Sequence, residues 1–181
     1  MGNKERDSLR HLVQASMLAA MACAATLVIQ IPSPMNGYVN LGDAVVLLSG
    51  WLLGPWYGFA AAGVGSMLAD LFSGYAHYAA GTLLIKGAMA AVAGLLYGVV
   101  CRAGRRPLPA RLVSAAAAET VMVLGYFAFA GLWLGNGLAA AASIPGNVVQ
   151  ACFGLAAGVL LAAALDRAGV RPAGGGTERK I

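Results

Sequence analysis

Three charged residues stand alone in a long apolar stretch of the chain, and they restrict what it can fold into. Asp43, Asp70 and Lys86 are the only charged residues between His11 and Cys101. A charged side chain is costly inside a lipid bilayer, so such residues usually face a cavity or pair with one another. The stretch therefore predicts buried polar groups inside a membrane protein.

The composition supports this interpretation. The chain is 60% hydrophobic and 10% charged, whereas a soluble domain carries about 25% charged residues. We expect a multi-pass membrane protein in contact with the lipid bilayer. The net charge of +5 does not indicate nucleic-acid binding, because the basic residues cluster beside apolar segments, as in cytoplasmic loops. Nine of them are Lys4, Arg6, Arg10, Arg102, Arg105, Arg106, Arg111, Arg167 and Arg171.

Apolar segments recur along nearly the whole chain and predict an all-α membrane protein. We expect one domain over residues 9–166 with six transmembrane helices and both termini in the cytoplasm. A cytoplasmic segment, 1–8, precedes it, and a cytoplasmic tail, 167–181, is expected to be disordered. The six segments are 9–30, 41–54, 56–73, 81–101, 112–134 and 144–165.

The second and third segments are separated only by Gly54 and Pro55, a pair that typically breaks a helix. Two full spans and a re-entrant hairpin both fit this pattern. Either arrangement returns the chain to the side on which it entered, so the topology of the later segments is the same.

Successive segments cross the membrane in alternating directions. With the N-terminus in the cytoplasm, most of the internal polar residues therefore lie near the outer face. The functional interpretation is an outward-open pocket for a small polar ring compound. The alternative is an internal ion pair, for example between Asp70 and Lys86, that ties helices together. Glu119 lies nearer the cytoplasmic side, where it could pair with an arginine or contact a partner subunit.

Motifs for catalysis are absent from the sequence. There is no nucleotide-binding loop, no HExxH and no GxSxG, and Cys23, Cys101 and Cys152 do not have metal-ligand spacing. We therefore expect no catalytic residue, no metal site and no cofactor. The protein is predicted not to be an enzyme, and active transport would draw on an ion gradient or on a partner that hydrolyses ATP.

Several motifs together resemble the substrate-binding S component of energy-coupling factor (ECF) transporters, in the riboflavin-transporter-like subgroup. The resemblance covers about residues 9–165. It rests on Asn40-Leu41-Gly42-Asp43, Gly54-Pro55, Leu68-Ala69-Asp70-Leu71, Gly81-Thr82, Lys86-Gly87, Gly125-Tyr126-Phe127 and Ser143-Ile144-Pro145-Gly146-Asn147 with Gln150.

This resemblance implies a subunit of a bacterial-type cell membrane that captures a vitamin or related heterocyclic micronutrient from outside. Its partners would be a transmembrane coupling subunit and two cytoplasmic ATPase subunits. The family pocket maps onto Asn36, Tyr38, Thr82, Lys86, Tyr126, Asn147 and Gln150, and we expect Asn40, Asp43 and Asp70 to support it. The family's AxxxA docking pattern maps onto Ala15, Ala19, Ala20 and Ala24.

Two other functions fit parts of the sequence. A stand-alone ion-coupled secondary transporter or channel would use Asp43 and Asp70 as proton or cation sites. A membrane enzyme would use the same two carboxyl groups as a catalytic dyad, although neither lies in a recognisable catalytic motif.

Overall fold

The computed structural model describes residues 3–33, 37–104 and 106–169. Long helices dominate it, together with one small antiparallel sheet in which Gln30 lies opposite Asn40. A π-helical turn, Phe129–Trp133, and a 3-10 helix, Gly137–Ser143, connect the last two helices. The helices are α1 (Asn3–Val28), α2 (Asp43–Phe72), α3 (Ala76–Arg102), α4 (Pro107–Ala128) and α5 (Ile144–Arg167), and the strands are β1 (Gln30–Ser33) and β2 (Gly37–Asn40).

The described helices suit a membrane. Five of them are long and apolar enough to cross one, and the surface of the bundle carries large apolar side chains such as Trp56, Leu132 and Leu138. A surface of this kind is stable in contact with lipid rather than water. The all-α prediction is confirmed for most of the chain, but the β-hairpin is a correction: its prolines and glycine indicated a loop.

Helix α2 reverses direction within itself. Gly54 has φ 77° and ψ −174°, a conformation that favours glycine, and Pro55 follows it. A Cβ atom on Gly58 would lie 2.9 Å from the Cα atom of Gly50, whereas residues eight apart in a continuous helix are about 12 Å apart along the axis. Residues 43–53 and 55–72 therefore form two antiparallel arms, so both ends of α2 reach the same end of the bundle.

Close packing against glycine holds these arms to their neighbours. A Cβ atom on Gly50 would lie 2.2 Å from the Ala90 carbonyl oxygen of α3, and one on Gly65 would lie 2.3 Å from the Ala19 carbonyl oxygen of α1. Small residues allow helix backbones to approach this closely. The apolar core around Leu47, Met89 and Met122 lies among α2, α3 and α4.

Candidate ligand cavity

A cavity lined largely by polar side chains lies at one end of the bundle, under the β-hairpin. The empty space between its walls and its mouth is about 560 Å³, which includes the part that is open to solvent. We call it the polar cavity. Its lining comprises Thr26, Ser33, Tyr38, Asn40, Ser66, Asp70, Tyr78, Thr82, Lys86, Tyr126, Ala130, Ser143, Asn147 and Gln150.

Helix periodicity explains why residues from distant segments meet here. Thr82 and Lys86 are four residues apart in the first turns of α3, and Asn147 and Gln150 are three apart at the start of α5. Residues at these spacings share a helix face. Tyr126 approaches from the last turn of α4, which runs in the opposite direction.

Six of the seven residues predicted to form the pocket line the polar cavity. They are Tyr38, Thr82, Lys86, Tyr126, Asn147 and Gln150. The seventh, Asn36, lies outside the described residues, as does the tail from residue 170 onward. Of the three predicted support residues, Asn40 and Asp70 line the cavity, whereas Asp43 lies beside it, buried behind Lys86.

An ion pair and an amide form one side of the polar cavity. Lys86 pairs with Asp43, and both side chains are almost fully buried. Gln150 donates from Nε2 to the Asp43 Oδ2 atom at 2.7 Å, and its Oε1 atom accepts from the backbone N–H of Asn40 at 2.8 Å. The predicted ion pair therefore forms, but with Asp43 in place of Asp70. Gln150 and Asp43 have their hydrogen-bonding groups committed within the protein.

The mouth of the cavity is formed partly by the β-hairpin. Tyr38 of β2 donates from its hydroxyl to the Asp70 Oδ1 atom at 2.5 Å, and its ring lies 4.7 Å from that of Tyr75. Burial, together with the neighbouring Asp70 carboxylate, raises the pKa of Tyr38. The hydroxyl therefore stays protonated and continues to donate.

The hairpin is attached to other parts of the bundle as well. Gln30 of β1 donates from Nε2 to the Ser73 hydroxyl at 2.7 Å, and the backbone of Asn40 is held by Gln150 of α5. Deeper in the lining, the Thr82 and Tyr126 hydroxyl oxygens lie 3.0 Å apart. The Lys86 Nζ atom lies 5.5 Å from the centre of the Tyr126 ring, where a cation is attracted by the ring face.

Three buried polar atoms of the lining have no hydrogen-bond partner among the described residues: Ser33 Oγ, Ser66 Oγ and Asp70 Oδ2. Leaving such groups unsatisfied costs free energy, so they are natural contacts for a bound molecule. Sequence reasoning missed Ser33 and Ser66. Ser66 lies four residues before Asp70 and therefore shares its helix face. This spacing could have predicted that Ser66 lies in the cavity.

The carboxyl groups of the cavity have separate partners, and no cluster of metal ligands lies among the described residues. Within the described residues there is no group of three side chains that could hold a metal ion. Asp43 pairs with Lys86 and Asp70 accepts from Tyr38, so each aspartate has its own partner and the two do not form a hydrogen-bonded dyad.

Glu119 lies close to this network, and none of the described arginines pairs with it. It is 4% exposed, and neither carboxylate oxygen has a hydrogen-bond partner in the described ranges. A Cβ atom on Gly154 would lie 2.7 Å from Glu119 Oε1 and 2.6 Å from Asp43 Cβ. Glu119 and Asp43 thus approach the same point on α5. The arginine at that end of α4, Arg111, instead binds Asp166 through two hydrogen bonds of 2.6 and 2.9 Å.

The four alanines of the docking pattern occupy two faces of α1. Ala15 is 7% exposed, and the Ala19 carbonyl packs against Gly65, so this pair faces the bundle. Ala20 and Ala24 are exposed. A further helix can approach α1 closely along the face of Ala20 and Ala24.

Comparisons with known proteins agree with this fold. Residues 6–167 match the family described as "ECF-type riboflavin transporter, S component", which confirms the resemblance found in the sequence. An uncharacterized protein of Pyrococcus woesei is 37% identical over 134 residues, covering 74% of this chain and 86% of its own length. A solved structure of the S component of a bacterial ECF transporter superposes with a TM-score of 0.66 at 22% identity, covering 91% of this chain and 99% of that one.

Proposed function

This chain belongs to the family of ECF-type riboflavin transporter S components, and we propose that it captures a vitamin-like heterocycle from outside for an ATP-driven importer. Proteins of this family are transport subunits and not enzymes. The observation that carries the proposal is the convergence of polar side chains from five α-helices and both strands on one cavity. Donors, acceptors and aromatic faces together suit a small polar ring.

The orientation follows from the charges. The polar cavity lies at one end of the bundle, and Arg102, Arg106, Arg111 and Arg167 lie at or near the opposite ends of their helices. Because arginines collect on the cytoplasmic side, we place the cavity at the outer face and both termini in the cytoplasm. With the two arms of α2 counted separately, the chain has six membrane segments.

We further propose that the chain works with a transmembrane coupling subunit and two cytoplasmic ATPase subunits. The proposal rests on membership of the family and on the exposed small residues Ala20 and Ala24 of α1, which allow close helix contact. The competing idea of a stand-alone ion-coupled transporter needs free intramembrane carboxylates. Asp43 is a poor candidate for such a site because Lys86 and Gln150 already satisfy it.

Extraction of the co-purified small molecule tests the function most directly. The protein is purified in detergent and denatured, and the released compounds are identified by mass spectrometry; a binding screen across the common vitamins follows. We expect one heterocyclic nutrient to be enriched over an Asn147→Ala variant. If no nutrient is released and no vitamin binds, the proposal is wrong. Uptake in vesicles without ATPase subunits, abolished by collapsing the ion gradient, would favour the secondary transporter.

A further inference from the structure

The polar cavity holds one carboxyl group, that of Asp70, without a cationic partner among the described residues. Asp70 lies in the second arm of α2 and is 3% exposed. Its Oδ1 atom accepts the Tyr38 hydroxyl. The Thr82 hydroxyl approaches the same carboxylate, but Oδ2 receives no hydrogen bond of normal geometry from any residue that the structure describes.

Basic groups near Asp70 do not neutralise it. Lys86 is the one cationic side chain in the described lining of the cavity, and it pairs with Asp43. His77 lies near Asp70 in the first turn of α3, but its side chain is exposed and outside the lining. With Asp43, Asp70 and Lys86 all ionised, the lining and Asp43 together carry one uncompensated negative charge. A buried carboxylate without a cationic partner is costly in a low-dielectric interior.

Ser66 adds a second unsatisfied group on the same helix face. Its hydroxyl oxygen is buried and has no partner in the described part of the chain. Ser66 and Asp70 are four residues apart, which brings their Cβ atoms to about 5–6 Å in a helix. Together they offer two adjacent acceptor oxygens, one of them charged, to a group that brings two N–H donors.

We propose that Ser66 and Asp70 form the specificity-determining edge of the cavity and select a heterocycle that carries a protonated amine or a ring amino group. This inference rests on the proposed function and adds the chemical class of the nutrient. A charged N–H donor forms a stronger hydrogen bond to a carboxylate than a neutral hydroxyl does. A protonated amine also supplies a positive charge next to Asp70, whereas a ring amino group supplies neutral N–H donors to the carboxylate, so an analogue of the same shape that lacks both groups binds more weakly.

Matched pairs of compounds test the proposal on the full-length protein in detergent, freed of co-purified ligand. Pyridoxamine and pyridoxine differ in one aminomethyl group against a hydroxymethyl group, and thiamine and oxythiamine differ in one ring amino group against a carbonyl. Riboflavin serves as the neutral reference. Thermal shift identifies which compounds bind, and calorimetry measures their dissociation constants.

We expect the tightest compound to be an amino member of its pair, favoured by roughly tenfold or more, which corresponds to one charge-assisted contact. Asp70→Asn keeps an acceptor for Tyr38 but removes the charge, and it should abolish the preference. Asp7→Asn, an exposed change of the same kind in the first turns of α1, should leave it intact. Ser66→Ala should reduce the preference in part, which keeps the test usable if Asp70→Asn does not fold.

The outcomes separate the two proposals. If riboflavin or pyridoxine binds most tightly, or if the amino preference survives Asp70→Asn, this inference is overturned while capture of a heterocycle stands. If no compound of the panel binds the unmodified protein and no nutrient is released on denaturation, the proposed function fails, and this inference fails with it.

Discussion

Asp43 and Lys86, from different helices, form an ion pair with less than 3% of either side chain exposed. Gln150 holds the second oxygen of Asp43 at 2.7 Å, so the pair links α2, α3 and α5. Replacing one partner of a buried pair leaves an uncompensated charge, whereas replacing both partners with neutral residues leaves no buried charge. The pair thus serves as a structural element beside the cavity as well as part of its wall.

Lys86→Met is expected to lower the free energy of unfolding by about 3–5 kcal/mol, because Asp43 would remain buried without its cation. The double variant Asp43→Asn with Lys86→Met should recover much of this loss. Unfolding in mixed detergent and SDS, followed by circular dichroism, measures both variants. Equal losses in the single and double variants would show that the pair does not couple the two helices.

Asn147→Ala and Gln150→Ala should have different effects. Gln150 spans Asn40 and Asp43, so its truncation should lower stability by about 1–3 kcal/mol. The Asn147 side chain lines the cavity and makes no hydrogen bond to another described residue. Its truncation should therefore weaken binding of the captured nutrient while leaving the melting temperature nearly unchanged. Calorimetry and thermal unfolding of both variants check this, and a large stability loss in Asn147→Ala would contradict it.

Gly50→Ala should prevent correct packing of α2 on α3, because the new Cβ atom would lie 2.2 Å from the Ala90 carbonyl oxygen. A backbone atom cannot move aside as the end of a flexible side chain can. We therefore expect the free energy of unfolding to fall by several kcal/mol, or no folded protein to form. Gly98→Ala is the matched control, since its nearest neighbour is 4.0 Å away at the end of the Arg102 side chain. Detergent-stable yield by size-exclusion chromatography measures both, and similar yields would refute the packing argument.

Ala20→Trp should abolish co-purification with a coupling subunit and spare ligand binding, because Ala20 is exposed on α1. Ala19→Trp should instead disturb the fold, since the Ala19 backbone packs on Gly65 of α2. Pull-down of the tagged chain from cells that also express the coupling and ATPase subunits measures the first effect. Retained co-purification of Ala20→Trp would exclude this face as the docking site.

The membrane class, the helical segments and the layer of polar residues could all be predicted from the sequence, because apolar length and direction of travel determine them. The side-chain contacts within that layer could not be predicted from the sequence. Lys86 is equally compatible with Asp43 and Asp70 in sequence, and the choice depends on how closely the first arm of α2 approaches α3 at Gly50. The β-hairpin was missed since Pro32 and Gly37 indicate a loop, and pairing over four residues leaves little periodic signal.

The alanine pattern shows a similar limit. Four small residues at two overlapping four-residue spacings predicted a docking face, but periodicity alone did not distinguish the face turned toward α2 from the exposed one. The contact of Gly65 with Ala19 makes that distinction. It arises from tertiary packing between segments that are far apart in the chain.

The β-hairpin bears on how long a bound molecule stays in the cavity. Tyr38 is tethered to α2, and the backbone of Asn40 to α5, so two separate helices hold one small flap across the entrance. We expect a molecule bound beneath it to leave only when these hydrogen bonds break. The residence time of the nutrient should then follow the strength of these tethers, and Tyr38→Phe should shorten it more than it changes the rate of capture.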